Sequence, residues 1–160
     1  MSQIGFILQA EKGMPGGVPV LNSLGIVEDI HLPDTILTHN SAEVEETIIA
    51  GQPIYVKQNG KLRLASAANN IESQVIGIAL ESREQGYSIT YSAFGTVTLL
   101  DWTIAIGSVN LVSGCNYFLD NMRGRITNIA PITSASYLVY VGRAISSNIL
   151  VLNIQPKIQL

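Results

Sequence analysis

The residues best suited to proton transfer or metal ligation in this 160-residue chain are its two histidines, His31 and His39. A Ser-His-Asp arrangement would need one of these imidazoles pinned beside a buried Asp. No Gly-x-Ser-x-Gly turn is present to raise a nucleophile. Asp101 and Asp120 are the only side-chain carboxylates after Glu84, so a glycosidase pair would have to use them or reach into the first half. Glu43, Glu45 and Glu46 stand together before Thr47-Ile48-Ile49 and read as a solvated run leading into a strand. The phosphate-binding loop, the dinucleotide fingerprint and the His-Glu-x-x-His pattern are all absent. The expectation is a non-enzymatic protein with no catalytic residue, no metal and no cofactor.

Metal binding has one route. His31, Asp34 and His39 give too few ligands for a closed site, but three copies of one His about a threefold axis could complete it. A solvated His is the commoner case. Cys115 has no partner for an intrachain disulfide and reads as a small apolar residue. Tyr87, Tyr91, Phe94 and Trp102 fall within sixteen residues and could stack on sugar rings. Alternation over Tyr87–Tyr91 puts Tyr87, Ile89 and Tyr91 on one face, which is equally the pattern of a core.

Few helix signals exist to position these groups: Ser66–Asn70 and Ala42–Thr47 have room for about a turn each. Ile and Val are abundant, and candidate strands fall at 46–50, 54–58, 61–65, 74–81, 87–92, 95–100, 116–119, 125–129, 137–145 and 149–154. Asn59-Gly60 between two such runs is the strongest hairpin signal. The fold class is therefore all-β, a barrel or sandwich. Gly, Ser, Asn, Thr or Pro interrupt the uncharged stretches 102–119 and 126–142, which is unlike a membrane-spanning helix. With a net charge of −3 and a pI near 5.3, nothing draws the protein to nucleic acid or to anionic lipid.

The β region, 35–160, carries an internal repeat at about 51–80 and 114–145. Gly51-Gln52-Pro53-Ile54-Tyr55-Val56 aligns with Gly114-Cys115-Asn116-Tyr117-Phe118-Leu119, and Ile76-Gly77-Ile78-Ala79-Leu80 with Val141-Gly142-Arg143-Ala144-Ile145. Each unit reads as a hairpin followed by a strand carrying Gly-x-Ala, where Gly permits a close backbone approach or a bulge. What repeats is backbone character, not reactive groups.

Residues 1–34 read differently. Lys12 to Pro19 hold three glycines and two prolines, which forbid a helix and disfavour a paired central strand. The apolar residues that follow are too many for a free linker, so an extended arm docks them, on its own domain or on a neighbour. Stretched, it could reach about 100 Å. Fifteen of the 21 charged side chains lie in residues 1–84. The charge-poor remainder is covered either by Ser, Thr and Asn or by another subunit.

Gly16-Gly17-Val18-Pro19-Val20-Leu21-Asn22-Ser23-Leu24-Gly25-Ile26-Val27, followed by Leu32-Pro33, resembles a segment recurring in appendage proteins of tailed bacteriophages. Its spacer, Glu28-Asp29-Ile30-His31, departs from the basic or Ala residues frequent there. More loosely, the Gly-x-Ala strands, Gly95-Thr96-Val97-Thr98-Leu99 with Trp102, and Gly114 to Leu119 are similar to β-rich phage virion proteins. The resemblance implies a virion component made in the host cytoplasm. It would be a homotrimer decorating or stabilising a capsid, or a short fibre, with the major capsid or tail proteins as partners. Gly16, Gly17, Leu21, Leu24, Gly25, Ile26, Val27, Leu32 and Pro33 would be the docking residues of the arm. The alternative is a receptor-binding module of a tail fibre that holds a glycan through Tyr87, Tyr91, Phe94 and Trp102.

Overall fold

The computed structural model describes residues 39–130 and 136–160, together with Ser23. The extended arm expected over residues 1–34 lies outside them, apart from that one residue. The described chain is all-β, with two five-stranded antiparallel sheets sharing a core in the manner of a sandwich. In the first, β1 (His39–Glu43), β5 (Ser88–Ser92), β4 (Val75–Ala79), β2 (Pro53–Val56) and β3 (Leu62–Leu64) lie side by side in that order. In the second the order is β6 (Phe94–Thr98), β11 (Ile149–Asn153), β10 (Tyr140–Ala144), β7 (Asn116–Leu119) and β8 (Ile126–Thr127). A short ribbon pairs β9 (Tyr137–Leu138) with β12 (Ile158–Gln159).

The two orders are the same order. Strands β1 to β5 match β6, β7, β8, β10 and β11 place for place, and their registers agree. Ile54 faces Gly77 and Tyr55 faces Val75, with a slip of one residue at Ile76. Tyr117 faces Gly142 and Phe118 faces Tyr140, with the slip at Val141. The Gly51 N–H donates to the Ala79 carbonyl at 2.8 Å, and the Gly114 N–H to the Ala144 carbonyl at 2.8 Å. The return bonds, Ala79 N–H to Gln52 O and Ala144 N–H to Cys115 O, are both 3.0 Å. The Gly-x-Ala strands thus hold equivalent positions in two units of the same strand order and register.

At both glycines the neighbouring strand comes very close. A Cβ on Gly77 would stand 2.5 Å from the Ser92 carbonyl oxygen, and one on Gly142 would stand 2.2 Å from that of Val151. The contact crosses to β5 in one unit and to β11 in the other, so the same steric demand is made twice.

The first sheet curls until its edges nearly meet: Val44, just after β1, forms a parallel bridge with Leu62 of β3. Inside the curl Val44, Ile48, Ile54, Leu62, Ala79 and Ile89 form a cluster that excludes water completely. Each of its large aliphatic side chains contributes about 1.5–3 kcal/mol of burial. The larger cluster joins the sheets, taking Tyr55 and Ile78 from the first and Val97, Tyr117, Leu119, Val141 and Leu150 from the second.

Three local expectations are corrected. The first strand is His39–Glu43, whereas 46–50 is irregular and touches the ladder only where Ile48 bridges Arg83. Ala42–Thr47 is therefore no helical turn; its start is strand, held by the exposed edge of β5. Ser66–Asn70 forms turns and no helix; among the described residues the single turn of helix, α1 (Thr103–Ile106), falls instead in an insert between β6 and β7. It stops at Gly107, whose left-handed backbone lets its N–H return to the Thr103 carbonyl at 2.8 Å.

Candidate functional site

The carboxylates that follow β1 are not a free solvated run. Lys57, Lys61 and Arg63, on the β2–β3 hairpin, lie across from them. Glu45 pairs with Lys57 at 2.7 Å, Glu43 with Lys61, and Glu46 with Arg63 at 3.3 Å. Glu46 also accepts the Leu64 N–H at 2.9 Å, so its carboxylate fixes the edge of the hairpin. The Lys57 hydrogen bond, helped by Asn59 and Arg63, holds Glu45 below the usual carboxylate range against the opposing effect of desolvation. These groups pair with one another across the edge of the hairpin.

Two other carboxylates are anchored locally. Glu81 accepts the Thr90 N–H at 2.9 Å and is lowered mainly by that bond. Asp101 is lowered by its bonding to Thr103 and caps the first turn of α1 from outside. Among the described residues no three His, Cys, Asp or Glu side chains gather as a metal site would need. His39 contributes its backbone to β1, opposite Ser92. His31 and Asp34 fall outside the described residues. Cys115 is half-buried and unpaired by disulfide, as a small apolar residue would be.

The four aromatics weighed as a sugar platform separate. Trp102 is only 1% exposed, and its indole N–H donates to the Asn148 carbonyl at 3.2 Å. It is a core residue and cannot offer its face to a sugar. Tyr91 is partly buried against the first sheet's interior. Tyr87 and Phe94 remain exposed. The docking residues Gly16, Gly17, Leu21, Leu24, Gly25, Ile26, Val27, Leu32 and Pro33 all lie outside the described residues.

Polar and apolar groups of the described residues converge at the junction between the two units. The stretch Ala65–Ala67 of the first unit runs beside the β7–β8 turn of the second. Gly124 N–H donates to Ala65 O at 2.8 Å, Ala67 N–H to Asp120 O at 2.8 Å, and the Ser66 hydroxyl to Asn121 O at 2.8 Å. Tyr137 N–H closes the set on Ala67 O at 2.9 Å. Arg123 reaches from the turn to Glu46 at 3.0 Å and to Glu72 at 3.4 Å. Gly51 packs under the insert: a Cβ there would meet Leu99 at 2.9 Å and Trp102 at 3.5 Å. Sequence reasoning does not find this junction, because it is made by small residues and backbone groups that carry no motif.

A groove of about 580 Å³ opens on the outer side of the first unit, lined by Val56, Lys57, Asn59, Ile71 and Glu72 among others. On the second unit Val109, Val112, Met122 and Ile129 are exposed apolar side chains. Among the described residues no helix is long and apolar enough to cross a membrane. No protein-family model matches the chain, and no curated protein sequence matches it.

Proposed function

We propose that this chain is a non-enzymatic structural protein of a bacteriophage virion. It is a homotrimer that decorates or stabilises a capsid, or forms a short fibre, with residues 1–34 as its anchor on the major capsid or tail proteins. The duplication carries this reading. The two units share strand order, register, slip and close glycine approach. That is the inheritance of a scaffold, and no reactive side chain is repeated with it. The appendage-like segment at Gly16–Pro33 supports the phage assignment. The mechanism is burial of apolar surface between subunits, with the arm adding reach. With Trp102 in the core, the glycan-binding alternative keeps only Tyr87 and Phe94 as exposed rings.

Two measurements test the proposal. Light scattering should give about three times the 17.2 kDa chain mass, and labelled antibody should find the protein on virions. Deleting residues 1–34 should leave the circular dichroism and cooperative melting of a β domain while lowering incorporation into particles. Docking about four of the arm's apolar side chains is worth on the order of 6–10 kcal/mol before ordering costs. Truncation that unfolds the domain places the arm in the core. Unchanged incorporation removes it as the anchor.

A further inference from the structure

We infer that a second copy of this chain docks head to tail. The outer flank of its second unit, around Val109 and Ile129, seats against the outer groove of the first unit, around Val56, Asn59 and Ile71. The inference rests on the self-association part of the proposed function and not on the virion part.

The reasoning starts from the inner junction. It is heterologous: the two units present different surfaces to each other, although they share one fold. Each unit therefore owns both surfaces, and among the described residues each uses only one. Equivalent residues show this in their burial. Gly51 and Ala65 are buried at the inner junction, whereas Gly114 is exposed and Ala130, which answers Ala65, is half-buried beside Ile129, itself 75% exposed. Gly124 and Leu119 are buried there, whereas their counterparts Gly60 and Val56 are exposed. Ser136, next to the Tyr137 that meets the first unit beside Ala67, corresponds to Ile71, which is exposed in the open groove. Both unused surfaces carry large apolar side chains where solvent would favour polar ones.

The substitutions between the units also match across the missing contact. Glu46 and Arg123 form an ion pair at the inner junction. Their counterparts are Val109 and Asn59, so both charges are absent together and neither would be buried unpaired. The β2–β3 turn, Gln58-Asn59-Gly60, is one residue shorter than Asn121-Met122-Arg123-Gly124. A second copy satisfies these conditions because its surfaces descend from the same duplicated contact. The insert bearing Trp102 has no counterpart in the first unit, so the outer junction is smaller than the inner one and assembles with concentration.

The test uses full-length protein with Ile129→Asp and Val56→Asp, both at exposed positions, each checked for native circular dichroism. Wild type should associate at micromolar concentration in light scattering or sedimentation. Each variant alone should be monomeric, its dissociation constant raised at least 100-fold. Mixed in equal amounts they should form a dimer and nothing larger, because each supplies the flank the other lacks. Tyr87→Asp, at an exposed position outside the junction, should assemble as wild type does. A monomeric wild type, variants that still assemble, or a mixture that stays monomeric overturns the inference. A wild-type trimer indifferent to both substitutions does so while leaving the trimer intact. Sensitive variants of an assembly that is not trimeric support the junction and refute the trimer.

Discussion

Placing a methyl group on Gly142 tests the close approach on which the duplicated units depend. The Cβ would sit 2.2 Å from the Val151 carbonyl oxygen and 3.2 Å from the Leu152 Cα, all backbone atoms of β11. Carbon and oxygen normally approach to about 3.3 Å at closest, so β10 and β11 must part by about 1 Å. Neither a rotamer change nor a flexible neighbour can absorb that. Parting weakens ladder bonds worth about 1 kcal/mol each and loosens a packed core. Alanine's smaller loss of chain entropy offsets about 0.5–1 kcal/mol. The net cost of Gly142→Ala is therefore about 2–3 kcal/mol, a fall in Tm of about 4–12 °C for a chain this size. Gly77→Ala should cost slightly less, because one of its obstacles is the Tyr91 ring, at 2.7 Å, which can swing aside. Gly60→Ala is the control: nothing lies within 4 Å, and only its left-handed backbone, φ +80°, opposes the change. That costs about 1–2 kcal/mol. Urea unfolding with a common m-value gives the three numbers. Gly142→Ala within 0.5 kcal/mol of wild type, or milder than Gly60→Ala, would refute the steric argument.

Trp102→Ala should cost about 3–5 kcal/mol, since it empties a buried aromatic site that joins α1 to both units; urea unfolding followed by circular dichroism measures it, and a cost below 1 kcal/mol would contradict the core placement. Acid should destabilise the fold through Glu45, Glu81 and Asp101, whose folded-state values are all held below their ordinary ones. Their contribution is present above the ordinary carboxylate range and is lost as pH falls through the lowered values. Melting temperature measured between pH 6 and pH 2 should drop towards the acid end, and a flat profile would remove these bonds as stabilisers. Added salt should blunt the part due to Glu45, because its partner Lys57 is a partly exposed cation.

The sequence makes the β architecture readable because period-two alternation and turn chemistry are local. Leu62 and Leu64 alternate with Lys61 and Arg63, and Asn59-Gly60 marks the hairpin. Strand β1 is not readable that way. His39-Asn40-Ser41-Ala42-Glu43 holds no β-branched or large aromatic residue, and it becomes a strand only because the edge of β5 offers five residues to pair with. Ile48-Ile49 looks like a strand and is not one, because Ile48 is drawn inward to plug the curled first sheet. Helix α1 escapes notice for a similar reason. One turn has too few residues to show a period, and its place is fixed by Trp102 packing beneath it, a tertiary fact.

The internal repeat yields more than fold class, because the two units answer each other as controls. Where they agree, at Gly77 and Gly142 or at Ala79 and Ala144, the shared backbone requires the residue. Where they differ on a common backbone, the fold does not set the choice and the surroundings do. Glu46 against Val109 and Asn59 against Arg123 are such differences, and both fall on the surfaces of the inner junction or their open counterparts. Independent surface drift would not be expected to replace both members of an ion pair with uncharged residues together. The pattern follows if each unit is matched to a particular neighbour: the first unit to the second within the chain, and the second to a first unit supplied from outside it.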